Sequence, residues 1–301
     1  MTRRLRVLVP ALLISLVPAH EAPAATNSEL VPGSRIVFPY YDLRPGSNTF
    51  LIFTNVGLVP VSVSLEFYDL TCIRRDSGFS MSEKDVDLVD LGRALPPDPS
   101  GTFRQGFVDA ATGGDSLIGT ALIVNTVEDW AVMYHGAAAR RQVGGATPFE
   151  PYPSRLFLPA FLTPGSLGGA GLADGLLILA APHPTIPGGP LPEQPIQVGF
   201  SIFLERSSSG SAGAAAQSTV AAGNAISSET AGHQVITPIG EIVGSTAPPT
   251  LGWLSIINAA LDDSGNPFGM VGLYIQMALR PEGGMAIAIR LPADPSVAPG
   301  P

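Results

Sequence analysis

The sequence predicts an all-β protein, with two tandem seven-stranded β-sandwich units related by internal duplication. Three observations carry this. Gly (34) and Pro (30) are abundant among 301 residues, charged residues are only 14%, and hydrophobic residues reach 45%. Low charge with that much apolar content fits many short strands joined by turns rather than a disordered chain. Apolar and polar residues alternate at period two in VSVSLEFY: Val61, Val63, Leu65 and Phe67 would face a core, and Ser62, Ser64, Glu66 and Tyr68 solvent. Finally, short stretches of the first half recur in the same order in the second.

The recurrence can be followed along the chain. SRIVFP at Ser34–Pro39 returns as SRLFLP at Ser154–Pro159, an offset of 120, and Pro45-Gly46-Ser47 returns as Pro164-Gly165-Ser166, an offset of 119. TFLIFT from Thr49 matches GLLILA from Gly175 (126), and PVSVSLEFYD from Pro60 matches PIQVGFSIFL from Pro195 (135). GFV at Gly106 matches GWL at Gly252 (146), and IGTALIV matches FGMVGLYI with Gly119 on Gly269 (150). After the first turn the offset only grows, and it grows between strands, where insertion costs little because loop-closure entropy rises logarithmically with length. On this register Val63 and Val198 are equivalent inward positions, as are Phe67 and Ile202. A one-residue slip would turn each strand inside out.

The elements are expected in this order. Residues 1–25 have Arg3, Arg4 and Arg6, an apolar run broken by Pro10 and Pro18, and a small-residue end at Ala22-Pro23-Ala24. Those are the three parts of a secretory signal peptide, and the run is too short to be a membrane anchor. The first sandwich spans 26–136, with strand runs at 35–42, 49–55, 61–69, 84–91, 105–110, 117–125 and 130–136. Residues 137–153 read as a linker. The second sandwich spans 154–292, with runs at 155–162, 175–181, 196–205, 233–243, 252–261, 268–279 and 285–291. Within it, the Ser-, Ala- and Gly-rich stretch 206–232 reads as a flexible loop. The alternative there is an Ala-rich helix over 212–228, weakened by Gly213 and Gly223. Residues 293–301 read as a disordered tail.

The segment TFLIFTN followed by VGLVPVSVSLEFYD resembles Ig-like or fibronectin-type-III-like modules repeated in exported bacterial proteins. The resemblance spans about twenty residues of the first half and bears on fold alone. The second half departs from it, since Asn55 has no counterpart and Tyr68-Asp69 is replaced by Phe203-Leu204. Cys72 is the only cysteine, so the disulfide of antibody-type domains has no place here. Such modules act as spacers, adhesins and accessory domains, so the resemblance implies architecture more than activity.

Charge and motifs narrow the function. Removing residues 1–25 takes away three Arg and Glu21, leaving 13 basic and 24 acidic residues, a net charge of −11. That charge repels phosphate backbones, so nucleic acid is not an expected partner. After signal removal only His135, His183 and His233 remain, in no metal-ligand spacing, and no Gly-x-Ser-x-Gly elbow occurs. Gly169-x-Gly171 in GGAGLADG is followed by a strand, not the helix a dinucleotide loop needs, and reads as a hairpin loop. No catalytic residue and no cofactor are expected.

Two acidic runs are the only metal candidates. Glu83, Asp85 and Asp87 alternate along an expected strand, with Val86 and Leu88 opposite; Asp262, Asp263 and Asn266 cluster around a turn. Calcium needs six to eight oxygens, and neither run supplies them, so both read as solvated polar surface or turn chemistry. Trp130 and Trp253 are the only tryptophans, and Trp253, flanked by apolar residues, is expected in the core. The leading expectation is a secreted or periplasmic, non-enzymatic structural or interaction protein of adhesion type, with a protein or cell-surface partner and no membrane span. The alternatives are a calcium- or carbohydrate-binding accessory module and a secreted hydrolase without a recognisable motif. An outer-membrane barrel fits poorly, because the aromatic girdles it needs are sparse.

Overall fold

The computed structural model describes residues 30–71, 73–95, 101–142, 149–162, 165–167, 170–172, 175–182, 197–205, 218–222, 226–227, 234–243, 251–261, 268–280 and 283–294. The expected signal peptide, Cys72, His183, His233 and the Asp262/Asp263/Asn266 run lie outside these residues.

The protein is all-β, with antiparallel pairing throughout its sheets. Its first half contains β1 (Arg35–Asp42), β2 (Ser47–Asn55), β3 (Val61–Asp69), β4 (Arg74–Met81), β5 (Val86–Asp90), a one-turn helix α1 (Leu91–Ala94), β6 (Gln105–Thr112), β7 (Leu117–Asn125), β8 (Trp130–His135) and β9 (Ala137–Ala139). The second half contains β10 (Arg155–Leu162), β11 (Gly165–Leu167), β12 (Ala170–Leu172), β13 (Leu176–Ala180), β14 (Gln197–Glu205), β15 (Ser218–Ala222), β16 (Ile226–Ser227), β17 (Gln234–Pro238), α2 (Ile239–Val243), β18 (Leu251–Asn258), β19 (Val271–Arg280) and β20 (Gly283–Arg290).

Each half pairs two sheets. In the first they run β4-β3-β6-β1-β9 and β5-β2-β7-β8; in the second, β15-β14-β18-β10 and β17-β13-β19-β20, with β16 also on β14 and the β11–β12 hairpin also on β19. The two ladders agree residue by residue. β1 meets β6 as Ile36↔Ala110 and Phe38↔Val108, and β10 meets β18 as Leu156↔Ile256 and Leu158↔Leu254, offsets of 120 and 146. Both ladders shift at the same place, between Phe38 and Tyr41 and between Leu158 and Phe161. Pro39 and Pro159 sit in those shifts, where a residue without an N–H is tolerated. β3 on β6 and β14 on β18 likewise pair Val63↔Thr112 with Val198↔Asn258, and Phe67↔Val108 with Ile202↔Leu254. Val63, Phe67, Val198 and Ile202 are all buried, at 2%, 0%, 1% and 3% exposure. β5 and β17 each run straight into a one-turn helix whose first residue, Leu91 or Ile239, is fully buried.

Several sequence expectations need correction. Seven strands per half is too few: the polar edge strand β4 has no apolar alternation to betray it, and β9 adds a further strand to the same sheet. The run 233–243 is strand β17 followed by α2, not one strand. By ladder position Gly119 matches Gly272 and not the expected Gly269, since β2–β7 pairs Phe53↔Gly119 and β13–β19 pairs Leu179↔Gly272. The reason is steric. A Cβ on Gly119 would lie 3.2 Å from Ile36 Cγ2, and one on Gly272 2.8 Å from Leu156 Cδ1, so the strand crosses the equivalent core residue with no room for a side chain. Pro45-Gly46 makes a type II turn, with Gly46 at φ 88 and a Ser47 N–H to Arg44 C=O bond of 2.8 Å. Gly165 instead opens strand β11, so the second Pro-Gly-Ser does not repeat that turn. The flexible stretch 206–232, with its alternative helix over 212–228, contains strands β15 and β16, and Ala293 and Asp294 of the expected tail are docked on β10.

The expected linker 137–153 is part of the fold. β9 pairs with β1, Arg141 bridges Phe149, and Phe149 is buried. The halves also share packing. One core cluster joins Ile36, Phe38, Leu51, Phe53, Val63, Phe67 and Tyr134 with Ile178, Leu273 and Ile275 of the second half. Phe38 packs edge-on against Phe53 (5.6 Å) and Tyr134 (6.5 Å) within it. A second cluster holds Leu156, Leu158, Leu177, Leu179, Val198, Phe200, Ile202, Leu254 and Ile256. Sheet β17-β13-β19-β20 therefore buries both faces, one in its own sandwich and one against β1 and β8. No helix among the described residues is long and apolar enough to cross a membrane.

Candidate functional site

The outward face of sheet β4-β3-β6-β1 carries the densest polar chemistry among the described residues. Period two puts Glu66 and Tyr68 of β3, Asp109 of β6 and Arg35 of β1 on this face, away from the sandwich core. The sequence reading placed Glu66 and Tyr68 in solvent, but Glu66 is 5% exposed, Tyr68 2%, Asp109 1% and Arg35 1%. The reversal has a physical cause. Phe149 and Tyr152, from the stretch expected to be a linker, cover the face, with their rings 5.6 and 5.7 Å from the Arg35 guanidinium.

Glu66 and Asp109 are directly opposite each other across the β3–β6 ladder. Two buried carboxylates in that position would repel, and Arg35 supplies the compensating charge. Its Nε donates to Asp109 Oδ1 at 3.0 Å and its Nη2 to Oδ2, a bidentate pair. Burial works to lower the Arg35 pKa, but the Asp109 carboxylate outweighs it and holds the guanidinium above its ordinary value. The Tyr68 hydroxyl donates to Glu66 Oε2 at 2.7 Å, and burial followed by that bond raises the Tyr68 pKa. Tyr68 also stacks on Phe107, at 4.7 Å and 9° between ring planes.

Beside this network lies a shallow groove of about 710 Å³. Ser62, Ser64 and Ser80 line its floor, Glu66 reaches its inner end, and Arg141 and Phe149 form its rim. The Arg141 guanidinium lies 5.8 Å from the Phe149 ring, so that ring neighbours both a buried cation and a rim cation. Hydroxyls, one carboxylate, one guanidinium and one aromatic face are groups that hydrogen-bond and stack on a polar ligand. The sequence carried one clue to this site: Arg35 and Asp109 interrupt otherwise apolar strand runs, SRIVF and GFVDAA.

The expected site residues fare differently. Glu83 and Asp85 precede β5 instead of lining it. Asp85 takes the Ser82 N–H at 3.1 Å and the Val86 N–H at 2.9 Å, so its carboxylate shapes the turn around Lys84 at φ 52. Asp87 caps the Leu88 N–H at 2.8 Å, and the exposed side chains of β5 are Val86 and Leu88, at 61% and 57%. The three carboxylates do not converge, and among the described residues no group of three His, Cys, Asp or Glu side chains could hold a metal ion. Because neither acidic run supplies six to eight oxygens, calorimetric titration of calcium into the mature protein is expected to give no isotherm below millimolar. A tighter one would overturn this and favour the accessory-module reading. His135 Nδ1 lies 2.9 Å from the Thr120 hydroxyl.

Trp253 is not in the core as expected. Leu254 and Ile256 take the inward positions, and Trp253 is half-buried on the outward face of β18, 5.4 Å from Phe157 of β10. No protein-family model matches the chain, and a search of the curated proteins gives no match.

Proposed function

We propose that the chain is an exported, non-enzymatic interaction protein of adhesion type, built from two duplicated Ig-like sandwich units, and that its contact surface is the groove on sheet β4-β3-β6-β1. The groove carries the functional part of this reading. It combines an open, hydroxyl-lined floor with the fixed Arg35–Asp109 pair beside it, an arrangement suited to holding a partner's polar surface without reorganising. The common ladder offsets, the shared strand shift and the strand-to-helix step support the duplication. The strand order narrows the Ig-like part of the reading to the two-sheet sandwich itself: β1 lies beside β6, whereas the first strand of an immunoglobulin sheet lies beside the second.

Mature protein recovered from the medium or periplasm should begin at Ala25 or Thr26. Labelled and added to intact cells or isolated envelope, it should bind, and Ser64→Trp should weaken binding by about tenfold or more by filling the groove from an exposed position. Material that retains Arg3, or binding that Ser64→Trp leaves untouched, overturns the reading. Turnover of a hydrolase substrate that Ser64→Trp abolishes would replace it with the enzyme reading. The half-buried Phe157 and Trp253 on the outward face of β10 and β18 favour a second reading, a carbohydrate-binding accessory module, because an aromatic ring on a sheet's outer face can stack on a sugar ring. A glycan isotherm lost in Trp253→Ala would put that reading first.

A further inference from the structure

The contact between the two halves is one-sided, and among the described residues it leaves both complementary surfaces exposed. The second half contributes the outward face of β17-β13-β19-β20: Leu176, Ile178, Ile236, Leu273, Ile275 and Met277 pack into the first half's core cluster. The first half receives it along β1 and β8. Gln234 Nε2 donates to the Pro39 carbonyl at 2.7 Å, Arg290 Nη1 to the Gly136 carbonyl at 3.3 Å, and all eight residues of β1 are buried.

The ladder registers identify the matching surfaces, which have no such partner among the described residues. Through β2–β5 and β2–β7, the first-half counterparts of Leu176, Ile178, Ile236 and Ile275 are Phe50, Ile52, Leu88 and Leu122. This is an apolar sheet face, continued by Val86 and Met133, with Leu88, Val86 and Met133 at 57%, 61% and 54% exposure. The second-half counterparts of the receiving strands β1 and β8 are β10 and β20. Pro159 and Ala160 of β10 are exposed where Pro39 and Tyr40 are buried. Met285 and Ile287 of β20 are 56% and 51% exposed where their counterparts Trp130 and Val132 are 7% and 5%.

We infer that the chain associates head to tail with further copies of itself: the outward face of β5-β2-β7-β8 in one copy docks on the β10–β20 side of the next. The contact between copies repeats the one that the halves already make within the chain. The occupant follows from that repetition, since the exposed face matches one whose receiving surface is present in the same molecule. This inference rests on the equivalence of the halves in the proposed reading. Such an interface is heterologous, so it propagates into rings or open chains instead of stopping at a symmetric dimer. Each copy carries net negative charge, so added salt should favour growth by screening repulsion.

Sedimentation velocity on the mature chain tests this, with Leu88→Asp/Met133→Asp as the face variant and Ile287→Asp as the docking-side variant. All three positions are exposed, and circular dichroism melts confirm that the variants fold. The wild type should form species that grow with concentration and with salt, and each variant alone should be monomeric. An equimolar mixture of the two variants should form dimers and nothing larger, because only one competent interface remains. A monomeric wild type overturns the inference, as does a dimer lost in the face variant but kept in the docking-side variant, or a mixture that stays monomeric. Capture of a different exported protein by the face, with the wild type still monomeric, also overturns it. The duplication is tested apart from assembly, by the paired core substitutions Val63→Asp and Val198→Asp in monomeric protein, so failure here leaves that reading standing.

Discussion

Val63→Asp is expected to unfold the first sandwich, and Val198→Asp the second, while Ser62→Asp and Ser201→Asp leave melting almost unchanged. Val63 and Val198 are buried at 2% and 1%, at equivalent rungs of the β3–β6 and β14–β18 ladders, whereas Ser62 and Ser201 point outward and are exposed. An aspartate at either valine must lose its hydration without a partner, or be protonated, and it also removes the valine's buried apolar area. Together these cost roughly 3–5 kcal/mol or more, a large part of a typical total of about 5–15 kcal/mol. The effects should also spread between halves. The first half's cluster includes Ile178, Leu273 and Ile275, so collapse of either sandwich strips cover from the other. Thermal melts followed by near-ultraviolet circular dichroism should show a large loss of tertiary signal for both Val63→Asp and Val198→Asp. If Ser62→Asp destabilises as much as Val63→Asp, the face assignment is wrong.

The strands that alternate cleanly were legible in the sequence. In β3 and β14 the apolar period and the leading proline fix which face is inward, so the burial of Val63, Phe67, Val198 and Ile202 follows from the sequence alone. β4 was not legible, because an edge strand with a wet outer face needs no apolar pattern: its sequence RRDSGFSM carries only Phe79 and Met81 for the core. Nor did the sequence reveal the environment of the repeated arginine. Arg35 and Arg155 open the same motif, yet Arg35 is buried against Asp109, while Arg155 is exposed and the residue matching Asp109 is Ser255. What separates them is tertiary cover. Phe149 and Tyr152 fold over the first sheet, and that contact lies between residues more than a hundred positions apart. The groove was missed for the same reason, since its rim comes from a segment whose composition reads as a linker.

Arg35→Met is the second substitution expected to have a large effect. It keeps much of the side chain's length and apolar bulk and removes only the cation, leaving Asp109 buried at 1% exposure directly across from Glu66 at 5%. Breaking a buried pair from one side costs about 3–5 kcal/mol, because the remaining charge loses its compensation without regaining water. Arg35→Lys should fall between wild type and Arg35→Met: it restores the charge but not the planar fork that meets both Asp109 oxygens. Arg35→Met/Asp109→Leu should be far less destabilised than the sum of its single variants, since nothing charged is then left unpaired on β6. Urea denaturation of the four proteins gives the cycle, and additive effects would mean that the pair is not coupled. A role confined to stability predicts that the folded population of Arg35→Met keeps its groove. The structure predicts otherwise, because the Arg35 guanidinium also holds the Phe149 and Tyr152 rings. With that cation gone, the 149–152 segment should lift from the sheet, trypsin should cut faster after the exposed Arg140 and Arg141, and, on the proposed reading, partner binding at the groove should weaken under conditions where the rest of the fold is intact.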